Sequence, residues 1–210
     1  TPITIPNAYP IMGASPEAQF TAPLLNYMLF DENQASIYPK TFLKEQHTPE
    51  LIVKRIKSEG AKCVKVFYEK GFGRWKNLPV PSAALVRKVV EQAHAHGLKV
   101  YLHGNSQSSY EFALEAKVDT LVHGMWHWDS LSTAEEPAID QFAKRFADAN
   151  ISVQPTIQVI YGEQAIFNPH FFLDEKSLHA IPKSLIKWYL SEDGQWMKNI
   201  LREDYDANIK

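Results

Sequence analysis

The sequence predicts an α/β protein built on a parallel sheet, and three observations predict it. Helical apolar periodicity alternates with short β-branched runs, those runs are too apolar to keep one face in water, and few residues separate each helix from the next strand. Parallel strands need crossover connections, and the intervening helices supply them.

Residues 1–12 ("TPITIPNAYPIM") carry one more candidate strand, with Pro6 and Pro10 limiting its ends, and 13–47 reads as a long loop on the active side. Thr48-Pro49-Glu50 is a helix start, a capping hydroxyl followed by proline at the first helical position, and Leu51, Ile52, Val53 and Ile56 carry the helix to Gly60. A strand over 61–68 follows. Pro81-Ser82 opens a second helix with Leu85, Val86, Val89, Val90 and Ala93 on one side, closed by Gly97 where helices favour glycine. The pattern then gives strand 99–103, helix 108–116, strand 120–123, helix 135–149 and strand 151–156. Beyond 156 aromatic and turn-forming residues loosen the periodicity before a last helix near 195–209. The whole reads as one domain, 1–210: first strand and loop in 1–47, repeated αβ core in 48–156, loop insertion and last helix in 157–210.

Composition narrows the function. The 210 residues are 45% hydrophobic and 22% charged, ordinary for a globular protein with a sizeable core. A net charge of −2 with pI near 6.4 provides no basic face, so nucleic acid and anionic membranes are not the expected partners. The single cysteine, Cys63, excludes an intrachain disulfide, and no apolar run approaches the roughly 20 residues of a membrane span. The start Thr1-Pro2-Ile3, without methionine or a signal-type apolar stretch, suggests a fragment or a processed chain, with cytoplasm and periplasm both open.

The chemistry gathers at strand ends. In "GAKCVKVFYEKG", Cys63, Lys65 and Phe67 share one face of the strand, and Val64, Val66 and Tyr68 the other. Lys65 thus enters a sheet expected to be buried on both sides, where a lone ammonium is strongly disfavoured. Either an acidic group at the sheet's end pairs with it, or its pKa falls, or covalent or metal chemistry removes the charge. The next strands end in "KVYLHGN" and "TLVHGMWHWD", each placing a histidine, His103 and His123, before a glycine that lets backbone approach closely. In parallel α/β proteins the ligand site lies at that end, and neutral imidazole is the commonest protein ligand of first-row metals. His94 and His96 of "AHAHG" sit on a helix about 200° apart, too divergent to grip one ion; they read as helix C-terminal residues favoured by the macrodipole. Asn105, on the face of His103, and His127, between Trp126 and Trp128, are candidate substrate contacts together with Tyr68.

Taken together, "GAKCVKVF", "HGLKVYLHGNS" and "ALEAKVDTLVHG" resemble the amidohydrolase superfamily, in its imidazolonepropionase-like and prolidase-like branch. The resemblance implies a (β/α)8 TIM-barrel type fold, with this chain covering roughly strands three to seven. It implies that Lys65 is a carboxylated lysine bridging two metals and that His103 and His123 ligate one of them. A carbamate replaces the buried ammonium by an anion that metal cations stabilise. The family's strand-one H-x-H and its strand-eight aspartate have no counterpart here, and asparagine at 105 stands where many relatives place a second histidine. A full barrel takes about 250 residues, so the resemblance implies the middle of such an enzyme, about five of eight βα units, as part of a longer chain.

The implied function is a metal-dependent hydrolase of amide-type C–N bonds in small cyclic amides or dipeptides. One or two divalent metal ions, zinc first, would activate a water as nucleophile. The alternative is a non-catalytic or degenerate α/β module that binds a small molecule or partner without hydrolysis. Exposed sheet edges in a partial barrel imply a homo-oligomer or further chain segments.

Overall fold

The computed structural model describes residues 3–5, 29, 47–70, 80–157, 167, 175–195, 198–199 and 202. The chain divides into two compact units, Thr1–Lys70 with Asn77–Pro155, and Gly71–Lys76 with Thr156–Lys210.

The helices of the first unit begin where their caps dictate. In α1 (Pro49–Ser58) the Thr48 hydroxyl accepts from Leu51 N at 3.4 Å, and proline occupies the first turn. In α2 (Ala83–Ala95) Ser82 accepts from Leu85 N at 3.2 Å, and Gly97, with φ of +66°, takes the left-handed position after its end. A reciprocal cap opens α3 (Gln107–Ala116), where the Ser106 hydroxyl accepts from Ser109 N at 3.2 Å and the Ser109 hydroxyl from Ser106 N at 3.0 Å. A 3-10 turn (Asp129–Thr133) precedes α4 (Glu136–Asp148).

Between these helices run β1 (Ile3–Ile5), β2 (Cys63–Phe67), β3 (Lys99–His103), β4 (Thr120–Val122) and β5 (Ser152–Gln154). All neighbours pair in parallel, in the order β1-β2-β3-β4-β5 with no reversal. The register aligns Val66, Leu102 and Leu121 across the sheet, and likewise Phe67, His103 and Val122.

That register separates two unlike faces. Val64, Val66, Val100, Leu102 and Leu121 are fully buried or nearly so, in one cluster with Ile52 and Ile56 of α1 and Val89 of α2. Each such side chain contributes about 1.5–3 kcal/mol relative to exposure. Cys63, Lys65, Phe67, Tyr101 and His103 on the opposite face are only half buried. The expectation of a sheet buried on both sides is corrected here for β2 and β3, because among the described residues the helices cover one face of these strands only. In β5, Ser152, Val153 and Gln154 are all exposed, and Ile151 just before them is buried.

At the N-terminal end of the strands, Asp119 Oδ2 accepts from Val100 N at 2.7 Å and bonds His94 Nε2 at 2.9 Å. His94 therefore ties α2 to the β4 entry, far along the strands from His103.

The second unit holds α5 (Glu175–Ala180) and α6 (Lys183–Tyr189), which begins after Pro182. The sequence shows only loosened periodicity there, because 6- and 7-residue helices are too short to display a 3.6-residue repeat. Of the last helix expected over 195–209, residues 195, 198, 199 and 202 are helical and the others lie outside the described residues, as does nearly all of the 13–47 loop. Among the described residues no helix is long and apolar enough to cross a membrane.

Candidate functional site

Period-two alternation along β2 puts Lys65 and Phe67 on the face the helices leave uncovered, and it carries on past the strand to Glu69. The Lys65 Nζ stands 5.7 Å from the centre of the Phe67 ring. That ring stacks on His103 at 5.0 Å between centroids, which aligns the tip of β2 with the tip of β3. His103 Nε2 lies 3.1 Å from Glu69 Oε2, and Asn105 Nδ2 donates to the same oxygen at 2.9 Å. Among the described residues no carboxylate lies within ion-pairing distance of Lys65.

His123 reaches this cluster by breaking the alternation. Val122 pairs with His103 across the sheet, so an unbroken strand would turn residue 123 toward the helices, with Leu121 and Leu102. Instead His123 takes φ of 89°, the left-handed region that a residue with a Cβ adopts at a cost of about 1–3 kcal/mol. Its ring ends 4.6 Å from the His103 ring, edge to face at 71°, and 5.8 Å from the Trp126 ring. Three contacts hold the strained backbone: Tyr110 Oη donates to His123 O at 2.9 Å, His123 N donates to Gln154 O at 2.8 Å, and Gly124 N donates to Pro155 O at 2.8 Å. Burial pushes the Tyr110 hydroxyl up to about 12, which keeps it a proton donor at neutral pH.

Both glycines after the histidines permit close approach, as the sequence implies. A Cβ at Gly104 would lie 2.6 Å from the Ser109 hydroxyl in the α3 cap, and one at Gly124 would lie 3.1 Å from Pro155 O.

The electrostatics of the cluster disfavour positive charge. Burial lowers the His123 pKa from 6.5 to about 4, helped by the neighbouring His103 and Lys65 and opposed by Glu69. Lys65 is held below the ordinary lysine range by burial, with Cys63 opposing. At neutral pH His123 is therefore a neutral imidazole with a lone pair, the form in which histidine binds metals. A stability consequence follows by linkage. The folded protein refuses a proton that the unfolded chain accepts between pH 6.5 and about 4, so this stability is present above 6.5 and lost as pH falls through that window. For a half-exposed group the screened loss is about 1–2 kcal/mol. Urea unfolding of chelator-treated protein at the two ends of the window is expected to show it, and His123→Asn, which tolerates the left-handed backbone, to reduce it. Equal pH sensitivity in the two proteins would contradict the assignment.

Of the sequence-predicted residues, His103, His123 and Asn105 come together, and Lys65 lies on the same face with its Nζ over the Phe67 ring that stacks on His103. Asn105 is 4% exposed, and its backbone O accepts from Trp126 N at 2.7 Å and His127 N at 3.0 Å. His127 lies in that same loop, its O accepting from Gln107 N at 2.8 Å. Tyr68 does not join them: its ring is buried in the core, 4.5 Å from the Phe112 ring, because its strand parity is that of Val64 and Val66. Its placement among the substrate contacts is corrected accordingly. Glu69 is the residue the sequence reading missed, although the parity that links 63, 65 and 67 extends to 69.

A neutral imidazole at 123, a second imidazole 4.6 Å away and a lysine depressed toward its free base suit a metal centre built with lysine carbamate. Among the described residues no group of three His, Cys, Asp or Glu side chains is placed to hold a metal ion.

A parallel α/β sheet of unreversed order, with a carboxylate and two histidines at its C-terminal edge, belongs to the class whose sites are built from strand ends. No protein-family model matches the chain, and no curated protein does. Solved structures similar to it are amidohydrolase and prolidase-like proteins. A Xaa-Pro dipeptidase with bound methionine aligns with 99% of this chain and 44% of its own, at 16% identity and TM-score 0.48. The A. niger ochratoxinase aligns with 58% of this chain and 26% of its own, at 21% identity and TM-score 0.45. An amidohydrolase aligns with 51% and 24%, at 22% identity and TM-score 0.39. The chain thus spans between 24% and 44% of the length of these three structures.

Proposed function

We propose that the chain carries part of the active centre of a metal-dependent hydrolase acting on C–N bonds of small amide-type substrates, cyclic amides or dipeptides. In this reading β1 to β5 are strands three to seven of a (β/α)8 barrel. The unreversed parallel order and a sheet whose helix-facing side alone forms the core support that placement. The observation that carries the functional reading is the contact of His103 with His123 at the strand ends, beside the Phe67 ring that Lys65 Nζ approaches on the same face of the sheet.

Lys65, as carbamate, His103 and His123 would hold the metal, with zinc the first candidate. The carbamate forms when the free amine of Lys65 attacks carbon dioxide: an N–C bond is made, one C=O π bond becomes a C–O− group, and the amine proton leaves to solvent. Burial favours the uncharged amine that this step consumes. A divalent cation bound there supplies Lewis acidity, polarising an amide carbonyl and making a water acidic near neutral pH. The Trp126–His127 stretch, whose backbone N–H groups donate to the buried Asn105, borders the cluster and is the proposed substrate-facing wall.

The test is metal content after reconstitution with zinc and bicarbonate followed by gel filtration. The wild-type chain is expected to retain zinc, and His103→Ala and His123→Ala to retain far less. A wild-type chain that holds no zinc, or variants that hold as much, would replace this reading by that of a non-catalytic α/β module.

A further inference from the structure

We infer that Glu69 is a positioning residue: its carboxylate fixes the tautomer of His103, so that Nε2 carries the proton and Nδ1 keeps the ring's lone pair for a metal. The inference rests on the metal-centre reading above for its functional meaning, and on hydrogen-bond geometry for its substance.

Two donors converge on a single oxygen. His103 Nε2 lies 3.1 Å from Glu69 Oε2 and Asn105 Nδ2 lies 2.9 Å from it. An ionised carboxylate only accepts, so the imidazole nitrogen facing it must carry hydrogen. The Asn105 amide likewise must turn its NH2 group toward Glu69. These two assignments agree, since an oxygen receiving an amide N–H is the acceptor for the ring as well.

The arrangement is braced from behind. Asn105 is 4% exposed, and its backbone carbonyl receives Trp126 N at 2.7 Å and His127 N at 3.0 Å. Phe67 stacks on the His103 ring with 30° between planes, and Tyr68 N donates to His103 O at 2.9 Å. The imidazole is thus held by its face, its backbone and its Nε2, and rotation about χ2 would forfeit the Glu69 bond. Glu69 and His103 side chains are 19% and 18% exposed, so water competes little for that bond. Carboxylates that hydrogen-bond a ligating histidine raise its basicity and set its orientation.

The test uses the full chain, labelled with 15N and freed of metal by chelation, under mildly alkaline conditions. Long-range 1H–15N correlation is expected to show His103, assigned by its loss in His103→Gln, as the pure Nε2–H form. In Glu69→Ala the two ring nitrogens should move toward exchange-averaged shifts, and zinc affinity should fall about 10- to 100-fold. Glu69→Gln, which keeps the shape and one acceptor, should retain the Nε2–H signature. A wild-type His103 protonated at Nδ1, or an unchanged signature in Glu69→Ala, overturns the inference. Zinc uptake by the wild type is scored separately: its absence removes the metal reading while the spectra still decide the tautomer lock.

Discussion

Lys65→Met is expected to leave the fold at least as stable as the wild type while abolishing zinc retention. The physical grounds are opposite for the two readouts. Burial already depresses the Lys65 pKa, so the ammonium is unfavourable in the folded state, and no carboxylate among the described residues pairs with it. Methionine fills a similar volume without charge, which removes that penalty and costs little in packing. The same change removes the only nitrogen of the cluster able to form a carbamate. In the companion Lys65→Ala variant the vacated space admits a short carboxylic acid such as acetate or propionate. Added acid is expected to restore part of the zinc binding to Lys65→Ala and none to Lys65→Met. Zinc content by atomic emission and thermal midpoints of both variants check the two halves. Wild-type zinc content in Lys65→Met would remove Lys65 from the centre.

The largest stability effect is expected at Leu102. Its side chain is fully buried, at the middle of the row formed with Val66 and Leu121, in the core that β3 shares with the helices. Leu102→Ala leaves a cavity whose walls are held by regular structure on both sides and collapse only in part. The expected loss is about 2–5 kcal/mol, or a fall of about 1–2 M in the urea midpoint with the slope unchanged. A loss below about 1 kcal/mol would mean that this face of the sheet is not closely packed. Lys65, one register row away on the other face, is the natural control, since the two faces answer to different physics.

Much of the fold was legible because its determinants are local. Thr48-Pro49 and Ser82 announce helix starts through side chains that reach only three residues ahead, and Gly97 announces an end through its own φ. Strand residues 63–67 and 99–103 were readable from β-branched runs bounded by such signals. The short helices 175–180 and 183–189 were not, since each is too brief to repeat a period. Burial of both sheet faces was overestimated for β2 and β3 because apolar content reports what a face tolerates, and not what is placed against it.

The candidate site divides in the same way. Parity along one strand assigns Lys65 to a face without reference to any other residue, and the order of helices and strands assigns His103 and His123 to the same edge. Both were determined by the amino-acid sequence alone. Strict alternation would nevertheless have turned His123 toward Leu121 and the helices. Only the tertiary structure decided that it meets His103, by a left-handed backbone at 123 held by Tyr110 from α3 and Gln154 from β5. Glu69 acquired its partners in the same manner, from residues 34 and 36 positions further along the chain. Local periodicity cannot encode a φ that is unfavourable by itself; contacts between distant segments must over-determine it, and those exist only once the sheet has assembled.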